Sequence, residues 1–600
     1  MNSRTEHIIT PEEAGTLHGL FLARVKRTPD AIAYRYFDVS KNIWQSFTWS
    51  QMREYIARWQ LALLGVGLVS GDRVAVMLRN CPQWVMFDQA AMSLGLVVVP
   101  LYTVDRPDNV AYIVNDASAK VLLFETKDQW TALREVREKM NCVQRFISLD
   151  LVKDSEEPRL QSADNWLPPN AQLQNCISST EQLATIIYTS GTTGKPKGVM
   201  LSHANILSNA FNTLNTFPIY SEDLLLSFLP LSHTFERTLG YYLTVMTGST
   251  VAFARSVALL GEDLQLIKPT VLISVPRIYE RVYAAINSKL DEGSNLKRKL
   301  FNLAVNVGWD RFLLQQSRGP WKLSFLLWPI LNLLVANKIR LKLGGRLRTA
   351  ISGGAALSPE ISRMFVGLGI PVVQGYGLTE TSPVISASPL HNNYPDSAGQ
   401  PIREMDVRIG EQNALLVKGP NVMLGYWNNP EATKSMIDAE GWLNTGDTAR
   451  ISETGHIYIT GRLKEIIVLS NGEKVPPTDM EIAILREHLF DQVMVFGESQ
   501  PYLVALAVVN PDIWKHFADQ LGLDPENPRS LCDTRVEEQV IERIAVQIKE
   551  FPGYAKIHKV LLLNEAWSIE NGMLTPTLKI KRAQVVAKFS KEIKAMYAGH

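Results

Sequence analysis

YTSGTTGKPKG, residues 188–198, puts five hydroxyl-bearing side chains, three glycines and two lysines into eleven positions. Such a loop suits an oxyanion. Gly191, Gly194 and Gly198 let the backbone approach a ligand closely, Thr189, Ser190, Thr192 and Thr193 carry donors, and Lys195 and Lys197 add positive charge. Gly, Ser and Thr also build ordinary surface turns, so the loop alone leaves both phosphate binding and a plain turn open. It is not a Walker A loop, in which Ser or Thr follows the lysine and a helix starts at once. Here Pro196 follows Lys195, and GVMLSH reads as a strand before Ser202 can cap a helix.

The flanking sequence sets the fold class. DRVAVMLRN (72–80), VVVPLY (97–102) and KVLLFE (120–125) read as short buried strands. PQWVMFDQAAMSLGL (82–96) reads as the helix between two of them, and TWSQMREYIARWQLALLGVGL (48–68) as a helix capped by Thr48 or Ser50. Downstream, ATIIY, LLLSFLP, STVAFA and PTVLISV repeat the rhythm through residue 280. Strands alternating with helices imply an α/β domain, here in two sheet-and-helix halves with a small β-rich part around 390–460. Residues 281–345 break the pattern as a long, basic, helical insertion. Near Lys464 the chain changes again, and MEIAILREHLF (480–490) reads as a helix followed by a hairpin through GESQPY. The expected organisation is a large domain over 1–463 and a mobile α+β lid over 464–600.

Composition removes several function classes. With 61 basic and 60 acidic residues the formal net charge is +1, so no bulk field draws the chain to nucleic acid. Cys81, Cys142, Cys176 and Cys532 form no CxxC or CxxH pattern, which argues against a zinc site or disulfide framework and suits a reducing cytoplasm. The N-terminus lacks a signal-peptide core. FLLWPILNLLVA (325–336) is short of the ~20 apolar residues that span a bilayer and contains Pro329, so no transmembrane helix is expected.

The 188–198 loop closely resembles the phosphate loop of adenylate-forming enzymes, the superfamily of acyl-CoA synthetases, luciferases and peptide-synthetase adenylation domains. Five further blocks of that family follow in order: SGGAAL (352–357), QGYGLTE (374–380), GWLNTGD (441–447), GRLKEI (461–466) and LTPTLKIKR (574–582). The resemblance covers nearly the whole chain. It implies that ATP, Mg²⁺ and coenzyme A are used in two steps, a carboxylate first forming an acyl-adenylate and a thiol then displacing AMP. Positioning and neutralising two anions is the main task of such a site.

Residue roles follow from the resemblance. Thr379 matches a phosphate-contacting threonine and Glu380 a magnesium ligand, a use for which one or two carboxylates suffice. Tyr376 and Gly377 match one wall of the adenine site and the backbone of Gly353, Gly354 and Ala355 the other. Asp447 matches the ribose-binding carboxylate, Arg462 a nucleotide contact, Lys464 the hinge and Gly472 the channel for the pantetheine thiol. Lys579 matches the lid lysine of the adenylation step. The family usually places Gly before that lysine, whereas Leu578 stands here, and Lys581 and Arg582 lie close by.

Two features point toward long acyl chains. PLSHTFERT (230–238) resembles a block of long-chain members, which makes His233 an acyl-entrance residue; a packed core histidine is the other reading. Glu236 and Arg237 are expected to pair with each other or with neighbours. An insertion before SGGAAL is typical of long-chain members, and its interleaved aromatic and basic residues suit a membrane surface over 309–336. The resemblance thus implies a long-chain fatty acid–CoA ligase, cytoplasmic or at the inner face of a membrane. Other readings are an enzyme for aromatic, bile or medium-chain acids, transfer to a carrier-protein thiol, and a catalytically silent lipid-binding scaffold. The sequence is silent on oligomeric state.

Overall fold

The structure is a computed structural model that describes residues 7–174, 179–189, 195–463, 467–471, 473–576 and 578–598. Two large sheets form its body. In one, the parallel strands Val372–Gly377, Thr349–Ser352, Val271–Ser274, Leu224–Ser227, Thr250–Phe253 and Ile32–Asp38 lie side by side. In the other, Leu183–Thr189, Val97–Pro100, Arg73–Met77, Ala119–Phe124, Arg145–Ser148 and Leu160–Ser162 do the same. The first sheet ends in antiparallel strands at both sides and the second at one. One core contains Val74, Val98 and Val199 of one sheet together with Val251, Ile273 and Ile351 of the other. Helices Leu17–Arg27, Pro82–Ser93 and His203–Leu214 contribute to this same core. The nearly continuous apolar runs of these strands follow from burial on both faces.

Local signals account for the elements beside the 188–198 loop. Strand Lys197–Ser202 returns antiparallel along Leu183–Thr189, with Thr189 opposite Lys197. Ser202 then caps His203–Leu214 by accepting from the Asn205 N–H, while the Asn205 side chain accepts from the Ser202 N–H. Thr48, not Ser50, caps Trp49–Leu64 through the same reciprocal arrangement with Gln51. A smaller four-stranded sheet, Asp406–Ile409, Ala414–Lys418, Leu443–Ile451 and Ile457–Arg462, supplies the β-rich part.

The insertion departs from expectation. Helices Pro276–Asp291 and Asn295–Gln315 precede a helical run of 20 residues, Leu323–Lys342, that is long and apolar enough to cross a membrane by length and composition. Pro329 does not stop it, because a 3₁₀ turn over Leu323–Leu327 places the proline in the first turn of the next helical segment, where its missing N–H costs nothing. The premise that this apolar stretch is too short and is interrupted by Pro329 therefore fails, while length and composition alone leave the expectation of no transmembrane helix untested. The aromatic residues also divide. Trp321 is 59% exposed, while Phe325 and Trp328 pack toward Ala304, Val307 and Leu331, and Trp309 and Phe312 join the cluster around Phe365.

Residues from 467 onward build their own cores around Val493, Leu503 and Ile544, and around Leu506 and Trp567. Strands Phe490–Phe496 and Leu503–Val509 form the expected hairpin, and Ile557–Leu563 adds parallel to the second strand. The helix expected over 480–490 instead spans Pro477–Ile484. Apolar residues persist to Phe490 because Leu489 and Phe490 turn into the strand core.

Candidate active site

The C-terminal end of strand Val372–Gly377 carries Tyr376 and runs straight into the turn Thr379–Thr381. The turn is tight. A Cβ on Gly377 would lie 1.9 Å from the Pro383 carbonyl oxygen, so only glycine fits there. The Leu378 N–H donates to that carbonyl, and the Met423 N–H donates to the Glu380 carbonyl at 2.8 Å. Crevices outside the carboxyl ends of parallel strands are where α/β sheets place ligands.

Glu380 has a partner that the sequence did not announce. Tyr426, 6% exposed, donates its hydroxyl to Glu380 Oε1 at 2.7 Å. Residues Gly425–Tyr426 pair with Val199–Met200, which fixes that phenol beside the strand leaving the 188–198 loop. Lys197 Nζ stands 5.4 Å from the centre of the Tyr426 ring, and Lys195 Nζ 5.4 Å from that of Tyr112. Tyr426 thus brings Lys197 and Glu380 together, while Lys195 stands over Tyr112. Ser190, Gly191, Thr192, Thr193 and Gly194 lie outside the described residues, as do Lys464 and Gly472. Gly198 serves packing rather than ligand approach, since a Cβ there would meet Ile186 at 2.7 Å and Tyr188 at 3.1 Å.

Tyr376 joins this end to the ribose-type carboxylate. Its hydroxyl donates to Asp447 Oδ2 at 2.5 Å, and burial beside that carboxylate pushes the phenol well above its ordinary range. Asp447 faces Arg462 directly across two antiparallel strands, and Arg462 Nε reaches Asp447 Oδ1 at 3.1 Å. These contacts orient the Asp447 carboxylate. The Gly353–Ala355 turn follows strand Thr349–Ser352, and Gly354 takes φ +82°. The Phe235 ring fills the space where a Cβ on Gly353 would sit, at 2.8 Å, so the PLSHTFERT and SGGAAL blocks touch.

The charge of Lys579, in the C-terminal part of the chain, reaches His233. Burial, reinforced by the Lys579 ammonium, pushes His233 down to about 4. It is therefore neutral at physiological pH. Its Nδ1 accepts from the Phe235 N–H at 3.2 Å, leaving the proton on Nε2 and directed away from the backbone. Lys579 sits in a short loop closed by Thr575, which donates its N–H to the Lys579 carbonyl at 2.8 Å and accepts the Lys579 N–H on Oγ1 at 3.0 Å. Leu578 adopts φ +61°, the left-handed region that favours glycine, which explains the family preference for Gly at this position. Arg582 is committed elsewhere, to the Glu481 carboxylate and the Val495 carbonyl.

Glu236 and Arg237 do not pair with each other. Arg237, fully buried, donates to Asp88 at 2.5 Å and to Thr185 Oγ1 at 2.7 Å, and Asp88 also accepts from Tyr241 and Tyr242. Glu236 is 1% exposed, its Oε2 has no hydrogen-bond partner among the described residues, and burial raises it to about 8. It is thus largely protonated at neutral pH.

For a magnesium ion that arrives with a nucleotide, a single half-exposed carboxylate held by a neighbouring phenol is a fitting ligand, because phosphate oxygens and water complete the shell. Glu380 meets that description. No group of three or more His, Cys, Asp or Glu that could hold a metal alone occurs among the described residues.

Comparisons with known proteins agree with this geometry. Residues 21–427 match the family described as AMP-binding enzyme, and residues 464–600 match its C-terminal domain. The chain is 34% identical to the peroxisomal long chain acyl-CoA synthetase 6 of Arabidopsis thaliana, over 89% of this chain and 80% of that one. It is 31% identical to the long-chain-fatty-acid–CoA ligase FadD15 of Mycobacterium bovis, over 95% of each. The solved adenylation domain of the Segniliparus rugosus carboxylic acid reductase, in complex with AMP and a co-purified carboxylic acid, superposes with a TM-score of 0.76 at 21% identity, covering 100% of this chain and 98% of that one. The chain belongs to the AMP-binding, adenylate-forming enzyme family.

Proposed function

We propose that the chain activates a long-chain fatty acid and joins it to coenzyme A. A carboxylate oxygen attacks the α-phosphorus of ATP, the bond to the bridging oxygen breaks, and pyrophosphate leaves. The thiol of coenzyme A, giving up its proton to solvent, then attacks the acyl carbon, and AMP departs with the electron pair of the mixed-anhydride C–O bond. The observation that supports the reading best is the set of pairings that ties the called residues together at the strand ends. The charge of Lys579 reaches His233, Tyr376 joins Asp447, and Tyr426 joins Glu380 to Lys197.

In this reading Lys195, Lys197, Thr379 and the 189–194 loop take the phosphates, Glu380 holds the nucleotide's magnesium, and the Mg²⁺ offsets phosphate charge. Tyr376, Gly377 and the Gly353–Ala355 turn enclose the adenine, while Asp447 and Arg462 take the ribose. Neutral His233 offers its Nε2–H at the acyl entrance. Lys579 neutralises charge where the carboxylate meets the α-phosphate. The division at 463/464 makes residues 464–600 a lid turning about Lys464, with Gly472 beside the thiol channel. Long-chain acids partition into bilayers, so the working location is the cytoplasm at the inner face of a membrane.

The test is AMP release with coenzyme A as acceptor across a series of saturated acids. Each buried methylene contributes about 0.8 kcal/mol, so palmitate should exceed octanoate in kcat/KM by orders of magnitude. A flat series, a preference for aromatic acids, or transfer only to a carrier-protein thiol would refute the assignment. Absence of any acid-dependent AMP from folded protein would favour a silent lipid-binding scaffold.

A further inference from the structure

Helix Leu323–Lys342 is apolar on two faces, and only one of them has a protein partner. Leu331, Ala336, Trp328 and Val335 turn inward onto Ala304, Val307 and Phe365, and the Trp328 ring lies where a Cβ on Gly308 would be, at 2.9 Å. On the other face Leu323, Leu326, Ile330, Leu333 and Leu341 are between 56% and 72% exposed. Their spacing, near three and four, makes one continuous stripe along the helix. Trp321 and Lys322 stand at its start, and Lys338 and Lys342, both exposed, at its end.

We infer that this stripe docks the enzyme on an anionic lipid bilayer, with the helix lying in the plane of the interface. The charge of the segment is complementary to such a surface. Residues 295–348 contain eleven Lys or Arg and one acidic residue, Asp310, which itself pairs with Lys322 at 2.8 Å. Basic residues and a tryptophan at the ends of an apolar stripe match headgroups on one side and acyl chains on the other. A membrane-crossing role is disfavoured because the inner face is held by the protein core, and a spanning helix would have to leave it. The inference extends the long-chain reading by naming where the substrate is met, yet its test does not depend on catalysis.

The experiment is flotation of the full chain with vesicles of phosphatidylcholine alone and of phosphatidylcholine mixed with phosphatidylglycerol. The wild type should bind the mixed vesicles strongly and the neutral ones weakly. Leu326→Glu/Ile330→Glu should lose binding to both. Lys338→Gln/Lys342→Gln should lose about 25-fold on the mixed vesicles, about fivefold per lysine removed. All variants should melt as the wild type does and keep octanoate activity in vesicle-free buffer, since every altered side chain is exposed. Wild-type-like binding by the glutamate variant would overturn the inference. So would failure of the wild type to bind either vesicle, resistance of the bound protein to extraction by alkaline carbonate, or a wild-type dimer that the glutamates split without any vesicle binding. Loss of fatty-acid activity in the wild type would count against the proposed function and leave this result standing.

Discussion

Replacing Tyr426 with Phe removes one oxygen atom and leaves the ring that packs at 6% exposure and faces Lys197 at 5.4 Å. What is lost is a 2.7 Å hydrogen bond to the Glu380 carboxylate. A hydrogen bond to a charged partner is worth about 1.5–3 kcal/mol net, which converts to roughly 10- to 150-fold in a rate or binding constant. Glu380 is half-exposed, so water can replace the phenol in the resting protein. Little of the loss should therefore appear in stability, and the melting temperature should stay near that of the wild type. It should appear instead where Glu380 must be aimed, in the nucleotide–magnesium complex. The assay is palmitate-dependent pyrophosphate release at varied Mg²⁺ and ATP, paired with calorimetry of MgATP binding without the acid. Tyr426→Phe should lower kcat/KM for MgATP by about 10-fold or more and raise the Mg²⁺ concentration for half-saturation. A variant with unchanged Mg²⁺ dependence and kcat/KM within about twofold of wild type would refute the positioning argument.

Further expectations concern single residues. Leu578→Gly relieves a left-handed residue and should leave activity intact while changing stability by about +1 kcal/mol or less; a clear loss of stability in chemical denaturation would show that the exposed leucine does more than tolerate its backbone. Glu236 is an acid whose folded value, about 8, lies above its unfolded value. Its contribution is present below pH ~4.5 and is lost as pH rises through 8, at up to about 1.4 kcal/mol per pH unit between them. Glu236→Gln should therefore gain stability relative to wild type from pH 5 to pH 8 in urea titrations, and an equal effect at both pH values would contradict the buried-acid reading.

The parts legible in the sequence are those set by neighbouring residues. Alternating apolar runs gave both sheets, and the Ser202 and Thr48 caps lie where hydroxyl residues precede periodic apolar ones. QGYGLTE and NTGD could be read as site segments through their resemblance to family blocks, which survives because each is a short contiguous strand end or turn. What stayed hidden depends on residues far apart in the chain. Arg237 finds Asp88 across 149 positions, and Tyr426 finds Glu380 across 46. Nothing in either segment names its partner, although a tyrosine following a glycine, close to a magnesium-type carboxylate only in space, becomes interpretable once Gly425 pairs with Met200. Which residues of Leu323–Lys342 face outward was misread for a different reason. A helix apolar on two faces does not say which of them the core takes, and the aromatics Phe325 and Trp328 proved to be the inward set. Gly198 misled because a glycine in a loop and a glycine under a tyrosine ring look alike in sequence.

The central claim, that a carboxyl group is made reactive by adenylation in a crevice completed by the lid, is tested most directly by separating the half-reactions in Lys579→Ala. The account predicts that the variant loses palmitate-dependent exchange of pyrophosphate into ATP, yet still forms palmitoyl-CoA from supplied palmitoyl-adenylate near the wild-type rate. Retention of the exchange reaction, or equal loss of both halves in a folded protein, would contradict it.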